Sequence, residues 1–114
     1  MANIYLNAKK DLTTATVTTL YTVPNNSRSI IKSILVNEKT NAATTITLIL
    51  YDGDPATATA FNLYTTLDIT ALETKELLAE PLVMMENEVL QVTAADANRC
   101  TIVASILETN REDK

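Results

Sequence analysis

The chain has 114 residues, a net charge of −5 and a pI near 4.6, enough for one hydrophobic core and too short for two. Apolar residues make up 46% of it, which excludes disorder by composition. With no His, no Trp, one Gly and one Cys but 19 Thr, it lacks the usual general base, metal ligand and phosphate-cradling glycines, and is rich in strand formers instead.

No apolar run approaches the roughly 20 residues of a membrane helix, and Met1-Ala2-Asn3-Ile4-Tyr5 lacks the basic start and long apolar stretch of a signal peptide, so the reading is a soluble protein with no membrane contact. The nine basic residues are scattered, with Lys9-Lys10 the only adjacent pair, which argues against nucleic acid as a partner. Cys100 cannot form an internal disulfide, and its neighbours Thr101, Ile102 and Val103 mark it as a buried small residue.

Residues 1–12 mix Asn, Lys and Asp with isolated apolar residues and read as an N-terminal arm or edge strand. Residues 13–109 read as one domain, and residues 110–114 as a charged tail. Within the domain, residues 13–23 alternate loosely up to Leu20-Tyr21-Thr22-Val23, and Pro24 should stop that strand because it removes a donor. Asn25-Asn26-Ser27 supplies a turn. Ser29-Ile30-Ile31-Lys32-Ser33-Ile34-Leu35-Val36 is the strongest β signal, with Ile31, Ser33 and Leu35 expected on one face and Ile30, Lys32, Ile34 and Val36 on the other. Both faces are largely apolar, as a central strand in a packed sandwich requires. Residues 44–51 follow, with Ile46, Leu48 and Leu50 on one face, and the two strands are expected to pair as a hairpin across the turn Glu38-Lys39-Thr40-Asn41. Asp52-Gly53-Asp54-Pro55 ends the second of them.

Phe61 to Ile69 alternates as a further strand, with Phe61, Leu63, Thr65 and Leu67 facing one way. The stretch from Thr70 to Glu80 could begin a helix, since Glu73 lies three residues after Thr70 as in a capping box. A turn followed by a strand fits the surrounding pattern better. Leu82-Val83-Met84-Met85, then Val89-Leu90-Gln91-Val92-Thr93, then Cys100-Thr101-Ile102-Val103-Ala104-Ser105-Ile106-Leu107 complete the series. The expected fold is all-β, an antiparallel β-sandwich of seven to eight short strands, with Ile31, Leu35, Ile46, Leu48, Val92, Val103 and Ile106 in its core.

Chemistry finds little purchase on this pattern. Asp52 with Asp54, Glu73 with Glu76, and Glu86 with Glu88 are paired carboxylates, but each pair falls in an expected turn, where solvated acid is the default. Asp-Gly-Asp could offer two hard oxygens to a cation, without the remaining ligands of a calcium loop. Histidine-dependent nucleophiles are excluded. The expectation is therefore no catalytic residue, no cofactor and no metal. Exposed Thr rows such as Thr45 and Thr47 could present hydroxyls to ice or sugars, although solvent-facing strand threonines are the commoner case.

Tyr21-Thr22-Val23-Pro24 before Ser29-Ile30-Ile31-Lys32-Ser33-Ile34-Leu35-Val36-Asn37, and Glu80-Pro81-Leu82-Val83-Met84-Met85-Glu86-Asn87-Glu88-Val89-Leu90-Gln91-Val92-Thr93-Ala94 before a strand ending Ser105-Ile106-Leu107-Glu108, resemble small virion structural proteins of tailed bacteriophages, notably those of marine and cyanobacterial hosts. The resemblance covers nearly the whole chain. Relatives often carry Gly in the turn held here by Glu86-Asn87-Glu88, and this chain departs from that. The resemblance implies a non-enzymatic homo-oligomeric virion component assembled in the host cytoplasm, foremost a capsid decoration (cement) protein that binds the major capsid protein and stabilises the head. A neck, tail or baseplate component is the alternative, and a carbohydrate-binding host-attachment module a third, disfavoured by the 4% aromatic content. Contact with a partner subunit is expected through the N-terminal arm, at Ile4, Tyr5, Leu6, Lys9 and Lys10.

Overall fold

The computed structural model describes residues 2–110, which form nine strands and no helix: β1 (Ala2–Leu12), β2 (Thr18–Thr22), β3 (Ser27–Glu38), β4 (Thr44–Tyr51), β5 (Ala60–Ile69), β6 (Thr74–Glu76), β7 (Leu82–Met84), β8 (Val89–Ala94) and β9 (Cys100–Asn110). Every pairing between them is antiparallel. Of the expected charged tail 110–114, only Asn110 is described, at the end of β9; the rest lies outside the described residues.

The strands form two sheets, β1-β9-β3-β6 with β7 also on β3, and β2-β8-β4-β5. The first strand pairs with the last, the second with the second-last, β3 with β6 and β7, and β4 with β5. This is one long hairpin of strands folded in half at the β4–β5 turn and rolled so that β3 meets β9 and β4 meets β8, the topology of a jelly roll. β6 and β7 share one edge of β3, β6 at Leu35 to Asn37 and β7 at Ser29 to Ile31, so they occupy a single strand position interrupted around Pro81. Pro81 has no N–H to give a ladder.

The expected hairpin between β3 and β4 is not formed, because the two strands lie in different sheets. The buried Glu38 carboxylate accepts the N–H groups of Thr40 and Ala42, which curls residues 39–43 away from β3 and across to the second sheet. β1 lies along the chain's own β9 in unbroken register from Ala2 opposite Asn110 to Leu12 opposite Cys100, and Leu12 enters the core.

The core between the sheets holds Ile31, Ile34, Val36, Ile46, Leu48, Ile69, Leu90, Val92, Ile102 and Ile106 among others. Two residues expected there, Leu35 and Val103, are instead 41% and 37% exposed on the outer face. A bulge at Lys32 is the reason for the first: pairing with β9 shifts between Ile31 and Ser33, so inward residues run Ile31, Ile34, Val36. An extra residue in a strand inverts every face beyond it. Val103 and Ile106 sit an odd number of positions apart, so a regular strand can bury only one, and β9 buries Cys100, Ile102, Ala104 and Ile106. Two bulges in β5, at Leu63 and at Thr65-Thr66 opposite Thr47, break the alternation expected from Phe61 to Leu67; Phe61 is exposed, while Leu63, Tyr64 and Leu67 pack on the core.

Turns that need a left-handed backbone are made without glycine. Asn26, Asn41, Asn87 and Asn98 have φ between 61° and 68°, the region Asn tolerates best after Gly, and the lone Gly53 is not among the positive-φ residues. Asn87 supplies this conformation in the turn Glu86-Asn87-Glu88.

Candidate functional site

The paired acids are occupied in shaping turns. Asp52 accepts the N–H of Thr59, Asp54 that of Ala56, Glu76 those of Ile34 and Leu78, Glu86 that of Asn26, and Glu88 that of Met85. Glu73 accepts both the N–H and the hydroxyl of Thr70 while its own N–H goes to the Thr70 carbonyl, so only the carboxylate half of a capping box is made, on a turn and not a helix, and the two bonds from Thr70 hold its carboxyl below the usual range. Among the described residues no group of three or more acid, Cys or His side chains is clustered to hold a metal.

Two buried polar centres hold the sandwich together. Glu38, at one end of β3, accepts from Thr40 N–H and Oγ–H, Ala42 N–H and Leu72 N–H. Burial pushes its carboxyl up, but the bonds from Leu72, Thr40 and Ala42 outweigh this and leave it at about 2. They also hold Leu72 in its left-handed conformation at an exposed turn. At the other end, Tyr21 of β2 reaches across the interior. Its hydroxyl donates to Glu108 Oε1 on β9 at 2.6 Å and lies 2.6 Å from Ser29 Oγ on β3. Burial pushes the phenol up, and the Glu108 carboxylate adds to this. Cys100 is buried, and burial followed by the charge of Glu38 raises its thiol and disfavours the thiolate.

The surface feature that calls for a partner is the outer face of the first sheet. Antiparallel partners project to the same side, so the register writes this face as rows across β1, β9, β3 and the β6/β7 position. One row reads Tyr5, Leu107, Ile30, Val83, and the next but one reads Lys9, Val103, Leu35, Glu76, with Asn7, Ser105 and Ser33 between. Tyr5 is 78% and Val83 56% exposed, while Ile30, Leu35 and Val103 stand between a third and a half exposed. Beside Ile30 and Val83 a groove of about 520 Å³ opens, walled by Arg28, Met85, Glu86 and Thr109. The outer face of the second sheet has a different composition, with Thr19, Gln91, Ile49 and Asn62 in one row and Thr47 beside Thr93 in another. The second sheet thus turns polar threonines to water, while the first turns six apolar side chains outward in two rows.

The residues expected to contact a partner do not share one surface. Alternation along β1 sends Tyr5 and Lys9 to the outer face. Leu6 packs on the core, while Ile4 and Lys10 stand opposite Glu108 and Ile102 and remain exposed beside the sandwich edge. The larger part of the face, Ile30, Leu35, Val83, Val103 and Leu107, was not anticipated. Its signal was present in the two-sided apolar character of residues 29–36, which served equally well as the mark of a fully covered strand.

No family model and no curated protein matches the sequence. Solved structures do match in shape. A chain of the T13 particle of infectious bursal disease virus overlaps 96% of this chain with a TM-score of 0.56 and 12% identity. The VP2 protein of the same virus in derived T=1 particles overlaps 96% with a TM-score of 0.50 and 9% identity. This chain spans 31% and 36% of those chains, about a third of their length. A pentameric capsid protein from metagenomic phage sequences overlaps more loosely, with a TM-score of 0.40 and 13% identity over 95% of this chain and 60% of that one. At such identities the likeness is one of fold: this chain has the two-sheet architecture found in proteins of viral particles.

Proposed function

We propose that the protein is a non-enzymatic structural component of a tailed-bacteriophage particle, and specifically a decoration protein that binds the major capsid protein and stabilises the head. The observation that carries this reading is a jelly-roll sandwich occupying nearly the whole chain, 96% of which overlaps 31% of the virus-particle chain. The similarity of residues 20–108 to phage virion proteins supports the same role. A chain whose paired carboxylates are committed to turns and whose first sheet turns two apolar rows outward is suited to holding protein against protein. The edge strand β1 is the proposed contact with the capsid subunit, through its open edge and the exposed Ile4 and Lys10 on the side away from the outer face, with Leu6 anchoring the strand to the core.

Electron microscopy of purified particles from cells producing this chain tests the assignment. Density for the sandwich at regular positions on the outer shell is the expected result. Density confined to the neck, tail or baseplate would move the protein there, and absence from purified particles would overturn the virion role.

A further inference from the structure

We infer that the outer face of the first sheet is the interface of a two-fold dimer in which the strands of two copies run alongside each other. The face is complementary to itself about one axis. When a second copy is turned over about an axis parallel to the strands, its β1 lies over β6 and β7, and its β9 lies over β3. Tyr5 then meets Val83 of the second copy and Leu107 meets Ile30, while Val103 meets Leu35. Lys9 meets Glu76, whose Oε2 already accepts the N–H groups of Ile34 and Leu78 and is held in place. Asp11 falls opposite Thr74, Arg28 opposite Thr109, and Ser33 opposite Ser105, so like charges are kept apart in these rows. By two-fold symmetry each contact occurs twice.

The other way of laying the faces together, end for end, is poorer. It sets Val83 against Glu76 and Tyr5 against Lys9, leaving two apolar side chains at the rim against charges. Size also agrees. β1, β9 and β3, eleven to twelve residues long at about 3.3 Å each, with the position shared by β6 and β7 as a fourth row about 4.8 Å away, span a face of roughly 700 Å², close to the roughly 800 Å² that each partner contributes to a standard interface. Sheets pack this way with their strands within about 30° of each other, which the natural twist accommodates. The dimer needs no particle, so its success or failure is read separately from the proposed virion role.

The test uses the purified 114-residue chain. Sedimentation is expected to show a species of twice the 12.5 kDa chain mass at micromolar concentration. Leu35→Lys should raise the dissociation constant at least about thirtyfold by placing a charge at the centre of the contact. Lys9→Glu should raise it about fivefold, with the effect shrinking as salt is added. Geometry is read by a short bis-maleimide cross-linker, which the buried Cys100 does not engage. Mixing Tyr5→Cys protein with Val83→Cys protein should give cross-linked dimer, and neither variant alone should. A monomer at hundreds of micromolar would overturn the inference, as would a dimer in which Tyr5→Cys cross-links to itself as fast as it does to Val83→Cys. Should Leu35→Lys lose the β-type circular dichroism of the parent, the sedimentation and cross-linking results decide alone.

Discussion

Replacing Tyr21 with Phe isolates the contribution of one oxygen atom to joining the two sheets. The ring and its packing stay, while the hydroxyl that donates to Glu108 and bonds Ser29, both at 2.6 Å, is removed. A hydrogen bond to a charged group contributes about 1.5–3 kcal/mol and a neutral one about 1 kcal/mol. Ser29 can turn to satisfy itself in part, so the net loss should be about 2 kcal/mol. For a domain of this size that lowers Tm by roughly 8 °C. Chemical denaturation of parent, Tyr21→Phe, Glu108→Gln and the double variant forms a cycle with an expected coupling of about 1–2 kcal/mol, because Tyr21→Phe leaves a buried carboxylate without this donor and the amide removes that charge. A loss below about 0.5 kcal/mol for Tyr21→Phe would refute the view that this bridge ties the second sheet to the first. The sign of the alkaline limb follows from the raised phenol: the folded state favours the neutral form, so this stability is complete below pH 10 and declines as pH climbs toward the higher folded value.

Glu38 governs the acid limb in the opposite sense. Its folded value of about 2 lies below the ordinary 4.5, so its stabilisation is present above pH 4.5 and is lost as pH falls toward 2; Glu38→Gln should flatten that part of the urea-midpoint profile. Ile34→Ala should cost about 2–5 kcal/mol and Leu35→Ala only about 0.5 kcal/mol under conditions where the chain is monomeric, and reversed values would disprove the bulge at Lys32. Gly53→Ala should be neutral or stabilise by about 0.4–1 kcal/mol, since the added methyl would sit at an ordinary 3.5 Å from Ala58 and no left-handed backbone is required there. Asn87→Gly should keep full stability and Asn87→Ala should lose about 1 kcal/mol, measured by thermal unfolding, because φ at this position is 68°.

Local chemistry was written plainly in the residues. Threonine and branched aliphatic runs alternating at period two, punctuated by Pro24, Asn25-Asn26 and Asp52-Gly53, determined an all-β chain, and β4, β8 and β9 stand close to where their alternation placed them. The sequence also determined that acids cluster in turns, which the structure converts into caps for backbone N–H groups. What it did not carry was the assignment of faces and of sheets. An unpaired extra residue such as Lys32 looks like any other strand residue until its neighbour's register is known, yet it inverts the faces of Ile34 and Leu35. The carboxylate of Glu38 that curls residues 39–43 from one sheet to the other also binds Leu72, 34 positions away, and no local pattern encodes that contact. The interaction face was concealed for the same reason. An apolar residue on the second face of a strand reads identically whether another layer covers it or not, and only the three-dimensional arrangement shows Ile30, Leu35, Val83 and Val103 uncovered and side by side.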